Sequence, residues 1–272
     1  MYITNNPEIA LIAEASGVDR IFVDMETLGK EERQPGNTVK SHHTLSDVEK
    51  IRAALHRSEL LVRINPYHEP HGEYVGTERE VEEVIARGAD IIMLPYFKTA
   101  LEAKKFLDAV GGRVKTILLF ETPEAVDAVD EILALENIDE AYIGLNDLSL
   151  GYKKKFMFEM LTDGVVEQLC CKFRCRGVPY GFGGLASLEG GMVPGKMVLK
   201  EHYRLGSTSV ILSRSFCNSE KITEIEAIKT IFNSEVKRIR DHEERCWDHA
   251  RYFEENRKEV SLLIEKIAEG RV

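Results

Sequence analysis

No stretch of this 272-residue chain approaches the run of about 20 apolar residues that spans a bilayer, so a membrane protein is not expected. A basic block is missing too. Lysine and arginine total 36 against 46 aspartates and glutamates, for a net charge of −10. Such a balance argues against binding nucleic acid or an anionic membrane, while leaving room for a local cationic pocket that takes a small anion. The five cysteines form no C-x-x-C pair of zinc type. Cys170, Cys171 and Cys175 share one predicted helix and read as reduced thiols. Met1–Asn6 lacks the basic region of a signal peptide, and a cytoplasmic protein is the expectation. There is no internal repeat, no low-complexity tract and no Pro/Gly/Ser linker. The late glycines of Gly181-Phe182-Gly183-Gly184 have the wrong spacing for a dinucleotide fingerprint.

What is present is alternation. Hydrophobic residues make up 43%, enough for a substantial core. Short apolar runs of strand type fall at Tyr2–Thr4, Ile21–Val23, Leu60–Ile64, Ile91–Leu94, Thr116–Phe120, Ala141–Gly144, Pro179–Gly184 and Ser209–Leu212. Helical patterns separate them, with Pro123–Leu135 expected as one helix opened by Thr122-Pro123. Eight alternating units predict a parallel (β/α)8 TIM barrel, a fold of about 250 residues, occupying residues 1–218. Residues 219–272 read as a helical extension carrying Ile222, Ile225, Ile228, Phe232, Val236, Trp247, Tyr252 and Leu263. That is more apolar surface than one barrel layer needs, so packing on the barrel or on a partner subunit is expected, with a homo-oligomer as the assembly. Two long polar segments, Gly29–His43 and Tyr67–Thr77, follow strands, where long loops are often functional.

In such a barrel the chemistry lies at the carboxyl ends of the strands. Those ends here carry Asp24 and Glu26, Arg63, Pro95, Glu121, Asp147, the Gly181–Gly184 loop, and Ser213-Arg214. Charges at such positions are costly if buried alone. Glu121 and Asp147, 26 residues apart on successive units, offer two hard oxygen ligands that suit Mg²⁺ or Mn²⁺. Asp24 or Glu26 would hold metal-bound water or pair with Arg63. The pattern favours a metal site for a small carboxylate without specifying the reaction. Arg214 reads as a contact to a distal carboxylate or phosphate, or equally as a salt bridge to an acidic rim residue.

Val62-Arg63, Gly88-Ala89-Asp90-Ile91-Ile92-Met93-Leu94-Pro95, Phe120-Glu121-Thr122-Pro123-Glu124-Ala125 and Ile143-Gly144-Leu145-Asn146-Asp147-Leu148-Ser149 together resemble the HpcH/HpaI aldolase and citrate lyase β-subunit superfamily. The pattern spans roughly residues 17–215. The resemblance implies a phosphoenolpyruvate/pyruvate-type barrel with a divalent metal on Glu121 and Asp147. It implies that Arg63 meets the carbonyl or enolate oxygen of a small 2-oxo acid, and that amides near Asn146 and Asp147 receive its carboxylate. A carbon–carbon lyase is the function so implied. The aldolases of the family carry a histidine after Asp-x-Glu, where this chain has Thr27 after Asp24-Met25-Glu26. His42 or His43, further along that segment, would replace it by folding back, or are surface residues before a helix. The Asn65-Pro66 loop is closer to the citrate lyase side. Two alternatives stand: an acyl-CoA lyase of the citrate or malyl-CoA type, for which no basic path for CoA phosphates is evident, and a small-acid-binding barrel without turnover.

Overall fold

The computed structural model describes residues 1–33, 42–219, 221–246 and 250–271. Trp247 and residues 34–41 of the first long polar segment lie outside the described residues. Eight parallel strands close in sequence order into a barrel: β1 (Tyr2–Ile3), β2 (Arg20–Asp24), β3 (Glu59–Arg63), β4 (Ile91–Leu94), β5 (Lys115–Phe120), β6 (Glu140–Ile143), β7 (Tyr180–Leu185) and β8 (Ser209–Leu212). β1 closes the ring by pairing with both β2 and β8. The (β/α)8 class expected from the alternation is the fold observed.

The helices are α1 (Pro7–Ala15), α2 (Lys30–Arg33), α3 (Leu45–Ala54), α4 (Thr77–Ala86), α5 (Ala100–Val110), α6 (Pro123–Asp127), α7 (Val129–Ile132), α8 (Leu145–Gly151), α9 (Val165–Cys175), α10 (Gly195–Leu205), α11 (Ile225–Glu243) and α12 (Ala250–Ala268). A 3₁₀ turn at Met157–Leu161 precedes α9. Starts are marked by caps: Asn6 accepts the amides of Glu8 and Ile9, and Thr122 accepts that of Ala125. The single helix expected over Pro123–Leu135 is instead two, meeting at Ala128, where ψ of 7° tightens the turn. α8 follows β6 directly and puts Asp147 in a helix's first turn, where an acidic side chain complements the helix dipole.

Strand alternation sorts the side chains into two cores. Phe22, Leu61, Ile91, Met93, Ile117, Leu119 and Tyr142 fill the barrel interior with Met1. Their neighbours along each strand, among them Ile21, Val23, Leu60, Val62, Ile92, Leu118 and Phe120, face the helices. Gly181 on β7 is required by this packing: a Cβ there would lie 2.3 Å from the Ser209 carbonyl oxygen and 2.5 Å from the Tyr142 ring.

α11 follows β8 and packs against α1 and α10, where the eighth helix of such a barrel sits. It buries Ile228, Phe232, Val236 and Ile239, and Phe232 meets Tyr2 edge-on at 4.8 Å. α12 packs on α10 and the 3₁₀ turn, and buried Asn256 donates to Glu201. No helix among the described residues is long and apolar enough to cross a membrane.

Candidate active site

The same alternation builds the site. Two residues above Phe22 is Asp24, two above Leu61 is Arg63, and two above Leu119 is Glu121, so three charged side chains cap the interior apolar layer. Register then decides the first pairing. Asp24 on β2 is the direct partner of Arg63 on β3. The guanidinium grips the carboxylate with two parallel bonds, Nε to Oδ1 and Nη2 to Oδ2, both 2.8 Å. Lys30 Nζ adds a third contact to Oδ2 at 2.9 Å. Asp24 is buried, yet these two cations hold its carboxyl far below the ordinary aspartate range. The same bonds raise the Arg63 guanidinium still further.

Glu26 lies two residues beyond the strand and is 1% exposed. Lys30 reaches it at 3.4 Å and Arg33 Nη2 at 2.6 Å. The turn between is held by Asn65, whose Oδ1 accepts the amides of Thr27 and Leu28, both at 2.9 Å. Asn65 is itself oriented by Glu80, to which its Nδ2 donates at 2.7 Å. Burial pushes the Glu80 carboxyl up to about 7.

Glu121 directly follows β5, and Gly144 directly follows β6 beside it. A Cβ on Gly144 would sit 2.5 Å from Glu121 Oε2, so the missing side chain is the space the carboxylate occupies. Glu121 Oε1 accepts the Tyr96 amide at 3.0 Å. Tyr96 follows Pro95 in the left-handed region, φ 48°, an uncommon and strained conformation for a tyrosine. Burial raises the Glu121 carboxyl well above its usual range, and the nearby charges of Glu26 and Asp147 raise it further against Arg63 and Arg33. Asp147 is buried in the first turn of α8, where Asn146 Nδ2 donates to its Oδ1 at 2.9 Å.

Among the described residues four carboxylates thus meet three cations, Lys30, Arg33 and Arg63, and the buried carboxyl with no cation in direct contact is Glu121. A divalent cation fits that deficit, and Glu121 and Asp147 have the hard oxygens it prefers. Among the described residues no cluster of three or more acidic, histidine or cysteine side chains is arranged as a metal site. Such an ion would therefore take two protein carboxylates, with its other ligands from water or substrate.

His43 is half-buried and folds back to the rim, its Nδ1 accepting the Asp24 amide at 3.0 Å. That bond places the proton of the neutral ring on Nε2, and burial lowers the ring's pKa. His42 is exposed. Arg214 is exposed on the turn after β8. Sequence reasoning missed Lys30, Arg33, Tyr96, Gly144 and Glu80. The available signals were faint: Lys30 lies four residues after Glu26 in a segment flagged only for its length, and Gly144 stands inside the motif that ends in Asp147.

A family model described as HpcH/HpaI aldolase/citrate lyase matches residues 1–163, more than half of the chain. The chain belongs to that family. HpcH/HpaI membership makes a lyase-type enzyme the general class. Similar solved structures agree in fold. The HpcH/HpaI aldolase of Desulfitobacterium hafniense DCB-2 superposes with a TM-score of 0.60 at 17% identity, covering 84% of this chain and 91% of that one. An HpcH/HpaI aldolase/citrate lyase family protein of Burkholderia cenocepacia J2315 gives 0.61 at 16%, covering 84% and 94%. The citrate synthase SbnG gives 0.60 at 15%, covering 85% and 92%. No curated protein sequence matches the chain.

Proposed function

We propose that this protein is a divalent-metal-dependent carbon–carbon lyase that forms or cleaves a 2-oxo acid through a pyruvate-like enolate. The observation that carries this reading is the Asp24–Arg63 clamp standing beside the Glu121–Asp147 pair at one barrel mouth. Mg²⁺ or Mn²⁺ held by Glu121 and Asp147 would polarise the oxo group and favour its enolate. Asp24 occupies the Nε and Nη2 edge of Arg63, leaving Nη1 to donate to the same oxygen as its charge grows. Because the clamp is already formed, little reorganisation accompanies that step. Backbone amides at Asn146 and Asp147, at the start of α8, are the proposed seat of the acid's carboxylate. In the bond-forming direction His43 offers Nε2–H as a donor to the oxygen of the second fragment, while Nδ1 is committed to Asp24. Arg214 is assigned to a distal anionic group on that fragment. Support for a binding barrel without turnover comes from Thr27 in place of the motif histidine and from the neutralisation of Glu26 by Lys30 and Arg33.

Exchange of pyruvate C3 protons in D₂O, followed by NMR with and without Mg²⁺ or Mn²⁺, tests the enolate step directly. Pyruvate release from a panel of hydroxy-oxo acids tests the lyase. Both activities are expected to require the cation. Arg63→Lys keeps the charge but loses the fork, and turnover should fall by roughly 10²-fold or more while the cation still binds. Unchanged turnover in Arg63→Lys, or no cation-dependent exchange in the parent protein, overturns the reading.

A further inference from the structure

Arg33 is held on every side but one. Its Nε donates to the Gly29 carbonyl at 3.0 Å, and Nη2 donates to Glu26 Oε1 at 2.6 Å and to the Leu28 carbonyl at 3.3 Å. The guanidinium stacks on Tyr96, 3.7 Å from the ring centre, which places it over the residue whose amide holds Glu121. The remaining nitrogen, Nη1, is buried without a hydrogen-bond partner among the described residues and lies 4.0 Å from Asp147 Oδ2. A buried donor left unpaired is unfavourable, so charge rather than complete hydrogen bonding keeps the group there. What it faces is carboxylate on two sides, Glu26 at 2.6 Å and Asp147 at 4.0 Å. Glu121 and Asp147 are 4% and 7% exposed, so Arg33 and its stacking partner lie over carboxylates that solvent barely reaches.

We propose that Arg33 is an internal competitor of the divalent cation: its guanidinium neutralises Glu26 and Asp147 in the cation-free protein and withdraws from Asp147 when the ion binds. This rests on the reading that Glu121 and Asp147 hold the ion. The physical reason is like-charge repulsion in a poorly solvated site, where a guanidinium and a divalent ion on the same carboxylate oppose each other strongly. Lys30 is not equivalent, because its contacts are with Asp24 and Glu26. The affinity of the ion is therefore set partly by a residue that is not one of its ligands.

Mn²⁺ titration of the full chain tests this, with calorimetry for affinity and the EPR signal of free Mn²⁺ as a second count. Arg33→Met keeps the length and an apolar face for Tyr96 while removing the charge. It should bind Mn²⁺ at least tenfold more tightly than the parent, and Arg33→Lys should stay within a few-fold of it. Arg33→Gln repeats the neutral test if the methionine variant does not fold. Asp147→Asn should abolish binding in both backgrounds. If neutral variants bind Mn²⁺ no tighter than the parent while Asp147→Asn abolishes binding, the role of Arg33 is refuted and the ligand assignment survives. If neither the parent nor any neutral variant binds Mn²⁺, the ligand assignment fails and the proposal fails with it.

Discussion

Glu80→Gln should stabilise this protein at neutral and alkaline pH and do little in acid. Glu80 is 6% exposed, and its carboxyl accepts hydrogen bonds only from Asn65 among the described residues. Its carboxyl is pushed from 4.5 to about 7 by burial. Between those values the folded chain holds a proton that the unfolded chain has released. Stability contributed by this group is therefore complete below about pH 4.5, declines as pH rises, and is lost by about pH 8. At 1.36 kcal/mol per pH unit the whole gap corresponds to about 3 kcal/mol. Glutamine keeps the Oε1 acceptor for Asn65 and carries no charge, so it pays none of this at any pH. Urea unfolding of both proteins at pH 5, 6, 7 and 8 provides the measurement, with free energies from linear extrapolation. The variant should exceed the parent by less than about 1 kcal/mol at pH 5 and by up to about 3 kcal/mol at pH 8. Only the difference between the two is diagnostic. The buried Met1 amine, lowered to about 5, and the lowered His43 ring add stability as pH rises, opposing Glu80 in both proteins alike. A pH-independent difference, or a variant weaker than its parent at pH 8, refutes the argument.

Two further outcomes are expected. Gly144→Ala places a methyl 2.5 Å from Glu121 Oε2 and 2.9 Å from its Cβ, so the carboxylate must move. Mn²⁺ affinity should drop at least tenfold with an overpacking cost of about 1–3 kcal/mol, and unchanged affinity would show that Glu121 is not a ligand. The C-terminal helices are proposed as a self-association face because α12 leaves Leu262 58% exposed. Light scattering at micromolar concentration should find an oligomer that Leu262→Glu weakens, and a monomeric parent would contradict this.

The sequence by itself determined the barrel. Residue alternation along a strand and cap residues at helix starts are local, so the runs at Ile91–Leu94 and Thr116–Phe120 and the Thr122 cap are readable without any partner. The same local rule shows that Asp24, Arg63 and Glu121 sit above the interior layer, because each follows an inward-facing apolar residue by two. Which charges meet was decided only by tertiary structure. The Asp24–Arg63 clamp exists because β2 and β3 pair in that register. Arg33 reaches Glu26 and approaches Asp147 because closure of the ring brings the segment after β2 across the mouth to β5 and α8. Glu80 is an unremarkable acid in a helix until folding buries it against Asn65 and so steadies the turn that carries Glu26. Charge pairing and desolvation depend on distances across the fold, and no pattern along the chain encodes them.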